Sequence, residues 1–256
     1  MRISKSRLFA YALLVALAIG LAHFAWRHAG RGSATGAPPR LTRIAGTASY
    51  FVCSDPKARA KHSLPAIIVI GHTFEQPDRL TNFVAQFDEP VLLIWSDLLS
   101  GLTDDARVDD AILWKRKRDE FSRLLARFQD KLHFDPKRIY LTGFSFAGVY
   151  AWMLAYDHPA RYAGVVAMSA VSYPQQIQQR LQSAESLVTV VVRGETDPMV
   201  SQRLAQEKET GLAIESRNPH SRFIIKPGES HKDVARYWLE NLNYILRFTN
   251  STAYTD

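Results

Sequence analysis

Apolar residues follow two kinds of pattern along this chain, and the two alternate. Six short stretches are apolar almost throughout: Ala66–Gly71 (AIIVIG), Val91–Trp95 (VLLIW), Ile139–Thr142 (IYLT), Gly164–Met168 (GVVAM), Leu187–Val192 (LVTVVV) and Phe223–Ile225. A strand with one wet face alternates apolar with polar residues, so these runs predict strands covered on both sides. Between them Phe121, Leu124, Leu125, Phe128 and Leu132 recur at threes and fours, and so do Val234, Tyr237, Trp238, Asn241 and Ile245, with Asn241 the polar exception. That spacing draws a stripe down one side of a helix. Strands and helices in alternation predict an α/β fold. Its central sheet is mostly parallel, helices flank both faces, and ligands bind at the carboxyl ends of the strands.

The longest apolar run fits neither pattern. Leu8–Trp26 is 19 residues long, has only His23 as a strongly polar member and follows Arg2, Lys5 and Arg7. As a helix it spans about 28 Å, enough for the hydrocarbon core of a bilayer. Residues 1–28 are therefore expected to be an uncleaved membrane anchor. A cleaved signal segment ending near Gly20-Leu21-Ala22 is the alternative, and a buried helix that never meets a membrane is a third reading. Residues 29–40, rich in Gly, Ser, Ala and Pro, read as a flexible linker. The folded domain is expected over 41–256, inner-membrane-anchored and exported to the cell envelope, or secreted or periplasmic if the segment is cleaved.

Charge removes one function class. The net charge is +7, but Arg2, Lys5, Arg7, Arg27, Arg31 and Arg40 face no acid within residues 1–40, which leaves the body close to neutral. A neutral body has no broad field for phosphate backbones, so nucleic acid is not an expected partner. Lys115–Arg118 (KRKR), bracketed by Asp109, Asp110, Asp119 and Glu120, reads as a solvated helix face. Cys53 is the only cysteine. It excludes an intramolecular disulfide, and in the extended stretch Ala48–Cys53 it reads as a small buried hydrophobe. No His, Cys and carboxylate cluster stands at ligand spacing and no phosphate-binding glycine loop is present, so neither metal nor organic cofactor is expected.

The chemistry concentrates where strands end. Directly after Ile139–Thr142 comes Gly143-Phe144-Ser145-Phe146-Ala147-Gly148, and Val149–Tyr156 reads as helix. Strand, sharp turn and helix are the context of a nucleophile elbow, whose strained serine needs tiny neighbours two residues before and after it; Gly143 and Ala147 meet that demand. A serine hydroxyl needs a base, and the base an orienting acid. After Leu187–Val192 the chain runs Arg193-Gly194-Glu195-Thr196-Asp197, which places Asp197 in a loop at a strand end with Glu195 as its rival. After the last strand comes Pro227-Gly228-Glu229-Ser230-His231. Of the remaining histidines only His72 also lies at a strand's carboxyl end, and it precedes the serine. The order Ser145, Asp197, His231 is that of α/β-hydrolases.

On these residues the chain resembles the α/β-hydrolase superfamily, and within it the small serine esterases of the polyhydroxyalkanoate depolymerase-like, feruloyl esterase-like and dienelactone hydrolase-like kind. The most specific stretch is Asp135–Gly148 (DPKRIYLTGFSFAG), continued by Ala151–Ala170, with Gly194–Asp197 as acid loop and Gly228–His231 as base loop. The resemblance covers roughly residues 48–248. It implies an α/β-hydrolase fold; only 16 residues, Val171–Ser186, separate the strand after the elbow helix from the acid strand, so no large lid is expected there. It implies a carboxylic ester hydrolase with Ser145, Asp197 and His231 as triad, acting on small-molecule or polymeric esters. The oxyanion donors are then the N–H groups of Phe146 and Thr73. Relatives end the second strand His-Gly where this chain has Gly71-His72-Thr73, a departure that bears on the Thr73 donor. Phe74, Trp95, Phe144 and Tyr173 fall near strand ends as candidate substrate contacts. The same triad also serves peptidases and acyltransferases, and a catalytically silent binding module on this fold is the alternative from another class.

Overall fold

The six apolar runs all become strands of one sheet, and the order of that sheet explains why they are apolar on both faces. The computed structural model describes residues 39–71, 80–100, 102, 111–170, 179–181, 184–201 and 204–250, all within the unit that begins at Pro39. The strands are β1 (Thr42–Arg43), β2 (Tyr50–Cys53), β3 (Ala66–Ile70), β4 (Leu92–Ser96), β5 (Ile139–Phe144), β6 (Gly164–Met168), β7 (Val188–Gly194) and β8 (Arg222–Lys226), arranged β1-β2-β4-β3-β5-β6-β7-β8. From β4 to β8 every pairing is parallel; β2 is antiparallel to both β1 and β4. The helices are α1 (Pro56–Lys61), α2 (Leu80–Val84), α3 (Ala111–Leu132), α4 (Phe146–Asp157), α5 (Pro198–Ser201), α6 (Leu204–Arg217) and α7 (Trp238–Asn250).

Successive strand residues point to opposite faces, and each face has its own core. On one, Ile68, Ile94, Leu141 and Ala167 meet Phe121, Leu125 and Phe128 of α3, Tyr150 and Leu154 of α4, and Ile214 of α6. On the other, Val69, Leu93, Val166 and Val190 meet Leu80 and Val84 of α2 and Leu242, Ile245 and Leu246 of α7. Helix α4 is buried at every position from Ala147 to Tyr156, because it lies over the middle of the sheet rather than at its rim. A polar pair fastens α7: Trp238 Nε1 donates to Thr142 Oγ1 at 2.6 Å, and that hydroxyl donates to the Val166 carbonyl at 2.8 Å.

Three local features differ from the sequence expectation. Strands β5 and β7 each run two residues beyond their apolar stretches, because the main chain of Gly143, Phe144 and Gly194 stays in the ladder opposite Ala167, Met168 and Lys226. The stripe that starts at Val234 begins as a 3₁₀ segment, Asp233–Tyr237, before α7. The KRKR stretch is not wholly a solvated face. Lys115 and Arg116 are exposed, but Lys117 is buried, its ammonium donating to the Leu98 carbonyl at 2.5 Å and pairing with Glu120 at 3.0 Å. Helix α3 turns that position toward the end of β4, where the Leu98 carbonyl receives it. The predicted anchor and most of the linker lie outside the described residues. Among the described residues no helix is long and apolar enough to cross a membrane.

Candidate active site

Strand β5 passes into α4 through one residue, Ser145, held at φ 54° and ψ −124°. This is left-handed backbone that a non-glycine residue adopts only under constraint. The constraint is visible: the Ser145 N–H donates to the Met168 carbonyl of β6 at 2.8 Å. A Cβ on Gly143 would fall 2.5 Å from the Ala147 carbonyl, and one on Gly148 2.9 Å from the Gly143 carbonyl. Ala147 is fully buried in the same crossing. The requirement for tiny residues around the elbow is thus a matter of backbone meeting backbone.

The loops after β7 and β8 bring two side chains to this turn. His231 Nε2 lies 2.9 Å from Ser145 Oγ, and His231 Nδ1 lies 2.6 Å from Asp197 Oδ2. With Asp197 as carboxylate, Nδ1–H donates to it and Nε2 is left to accept the serine proton. The Asp197 side chain is 2% exposed and that of His231 31%, so the acid is sealed while the imidazole edge stays open to a ligand. The ring of Phe144 stands edge-on to the imidazole at 5.3 Å.

The rival acid is accounted for as well. Glu195 is exposed, and its Oε2 accepts the Gly228 N–H at 3.0 Å, where Gly228 takes φ +70°. Glu195 therefore buttresses the turn that leads to His231. Thr196 adds its N–H and hydroxyl to the Glu229 carbonyl at 3.0 and 2.8 Å, so the acid and base loops form one unit. Behind Asp197 sit two residues not anticipated from sequence. Arg193, 1% exposed, pairs at 3.2 Å with Glu207, 2% exposed. Burial pushes the Arg193 guanidinium below its usual value, against the opposing pull of the Glu207 and Asp197 carboxylates. A charged residue closing a valine-rich strand was the available signal. Ser169, directly after β6, is fully buried and donates its hydroxyl to the His231 carbonyl at 2.7 Å. A lone serine ending an apolar run carries no comparable sequence signal.

The remaining candidates divide. Phe146 opens α4, so its N–H points out of the positive end of that helix beside Ser145, while its ring packs edge-on against Tyr150 at 5.1 Å. Trp95 is 9% exposed and packs on Tyr50, with its indole occupying the place a Cβ on Gly71 would need, 2.2 Å away. Gly71 is thus demanded by Trp95, and Trp95 serves the packing of β2, β3 and β4. Phe144 supports the imidazole. His72, Thr73, Phe74 and Tyr173 lie outside the described residues, as do residues 171–178 and 182–183 of the connection between β6 and β7. Among the described residues no three His, Cys, Asp or Glu side chains stand together as a metal site. A recess of about 650 Å³ lined by Arg43–Ala48 and Asp97 is separate from the Ser145 cluster.

No curated protein sequence matches the chain. Among solved structures it is similar to a ferulic acid esterase from the anaerobic fungus Anaeromyces mucronatus, with a TM-score of 0.58 at 12% identity over 83% of this chain and 91% of that one. It is likewise similar to Est1E from Butyrivibrio proteoclasticus, with a TM-score of 0.57 at 11% identity over 84% and 100%. An alpha-beta serine hydrolase homologue from Coxiella burnetii gives 0.50 at 17% identity over 81% and 94%. At such identities the likeness is one of fold. The model of the phospholipase/carboxylesterase family matches residues 74–250, a span that runs from the segment before α2 through elbow, acid loop and base loop to the end of α7. The chain belongs to the phospholipase/carboxylesterase family of α/β-hydrolases.

Proposed function

We propose that the protein is a serine hydrolase that cleaves carboxylic esters through an acyl-enzyme on Ser145. The observation that carries the reading is the continuous hydrogen-bonded line Ser145 Oγ, His231 Nε2, His231 Nδ1 and Asp197 Oδ2, at 2.9 and 2.6 Å. As Ser145 Oγ attacks the acyl carbon, its proton passes to His231 Nε2, and the buried Asp197 carboxylate stabilises the imidazolium. The tetrahedral oxyanion is received by the Phe146 N–H at the positive end of α4 and by the N–H of Thr73. His231 then gives its proton to the departing alcohol. A water deprotonated by the same nitrogen hydrolyses the acyl-enzyme and restores Ser145.

The half-open imidazole edge suits small-molecule or polymeric esters that approach from solvent. The test is turnover of acyl-chain-length and aromatic ester panels set against peptide amides and acyl acceptors. Ester hydrolysis that disappears in Ser145→Ala is expected; peptide cleavage or acyl transfer in preference to it would assign the triad another acceptor. Absence of any turnover would favour a silent binding module.

The chain is further proposed to be held at the inner membrane by residues 1–28 with its catalytic domain exported, on the strength of the apolar run Leu8–Trp26 behind Arg2, Lys5 and Arg7. Protease added outside the inner membrane of intact cells should digest the domain; a protected domain would overturn the export.

A further inference from the structure

Two consecutive residues at the end of β6 hold the backbones of the two reacting side chains. The Met168 carbonyl accepts the Ser145 N–H at 2.8 Å, and the Ser169 hydroxyl donates to the His231 carbonyl at 2.7 Å. Nucleophile and base come from distant parts of the sequence, yet both are fixed to one point of the central sheet. We infer that Ser169 is a positioning residue for the base, setting the place of the His231 main chain relative to Ser145; this rests on the reading of Ser145, His231 and Asp197 as a catalytic triad.

The surroundings of Ser169 suit that role. It is fully buried, and its N–H donates to the Val192 carbonyl at 2.8 Å, so it continues the β6–β7 ladder and has little freedom of its own. Its φ is +47°, a conformation that glycine adopts without strain and serine does not. Glycine would relieve the backbone and lose the donor; the serine keeps the donor and bears the strain. Further ties on the base loop fall before the histidine. Glu195 holds the Gly228 N–H and Thr196 holds the Glu229 carbonyl, whereas the Ser169 bond falls on His231 itself. Loss of that bond lets the His231 Cα drift, and the imidazole must meet both Ser145 Oγ at 2.9 Å and Asp197 Oδ2 at 2.6 Å to act. Either contact weakened lowers the fraction of molecules ready to react without touching where a substrate binds.

The test is a series Ser169→Gly, Ser169→Ala and Ser169→Cys in the full-length protein, read by p-nitrophenyl ester kinetics, the rate of fluorophosphonate labelling and the downfield proton resonance of the His231–Asp197 hydrogen bond. Ser169→Gly should lower kcat and the labelling rate together by about tenfold, the worth of one hydrogen bond, with KM unchanged and the downfield proton broadened. Ser169→Cys, with a weak S–H donor, should fall between glycine and wild type. A folded Ser169→Gly protein with wild-type kcat, labelling rate and proton resonance would overturn the proposal. So would a loss of activity that tracks unfolding temperature while the resonance is unchanged, since that is a purely structural role. A wild type that neither turns over esters nor labels would sink the triad reading instead, and the resonance in Ser169→Gly would still decide whether Ser169 places the imidazole.

Discussion

Adding one methyl group at position 194 should disable the site from behind. A Cβ built on Gly194 lies 2.4 Å from the Glu229 carbonyl oxygen and 2.5 Å from that of Ser230, where ordinary contact begins at 3.4 Å. Both obstacles are main chain, so no side chain can swing aside. Gly194 is itself fixed in the sheet opposite Lys226, and the base loop is the part that must retreat, by about 1 Å from the difference of those distances. Since His231 follows Ser230 directly, its imidazole moves off Ser145 and Asp197. A misplacement of that size costs on the order of 10²-fold in rate, while the overpacking itself costs about 1 to 3 kcal/mol of stability. Gly211→Ala is the control: its Cβ meets the Phe223 side chain at 2.6 Å, comparable crowding on α6 and β8 without base-loop backbone in the way. In ester kinetics paired with thermal unfolding, Gly194→Ala should lose about 10²-fold in kcat/KM and Gly211→Ala should keep its activity. A folded Gly194→Ala protein with wild-type kcat/KM, or an equal loss in Gly211→Ala, would show that Gly194 does not keep the base loop in place.

Asp197→Asn should lower kcat by about 10⁴-fold by presenting the wrong imidazole tautomer, while Glu195→Gln, which only weakens the brace on Gly228, should cost far less; steady-state kinetics reversing that order would make Glu195 the acid. Thr73→Ala retains its N–H and should keep most activity, whereas Thr73→Pro should lose at least about 10²-fold if that N–H completes the oxyanion hole; equal activity of a folded proline variant would place the second donor elsewhere. Burial pushes the Tyr162 phenol from 10.0 up to about 12. Over that interval the unfolded chain gives up a proton that the folded chain keeps, so stability is intact below pH 10 and declines as pH rises toward 12, by about 2 to 3 kcal/mol in all. Urea unfolding of Tyr162→Phe across that range should show a shallower decline, and an unchanged slope would contradict the buried neutral phenol.

The parts of the molecule that speak through sequence are those whose constraints are local or periodic. Two-sided burial leaves runs such as AIIVIG and LVTVVV almost without polar members, and a strained serine flanked by Gly143 and Ala147 leaves its spacing. Asp197 and His231 could be placed by strand ends and order. What stayed illegible depends on which loops face each other once the sheet has assembled. Glu195 and Asp197 are both acids at one strand end, and only the fold turns one to Gly228 and buries the other against His231. Ser169 looks like any serine after a strand until β8 brings the His231 carbonyl to it. Lys117 reads as surface among its basic neighbours because nothing near it in sequence announces the Leu98 carbonyl. Trp95 sits at a strand end like a ligand contact, but Gly71, directly after the adjacent strand, leaves the space that draws it into the core.

Whether Ser145 is the nucleophile activated by His231 is decided by covalent mapping. The native protein is treated with a fluorophosphonate, digested, and its peptides are weighed by mass spectrometry. One phosphonyl adduct is expected, on the peptide containing Ser145, absent from Ser145→Ala and from protein unfolded before treatment. An adduct on another residue, or an ester-cleaving protein that carries none at Ser145, would contradict it.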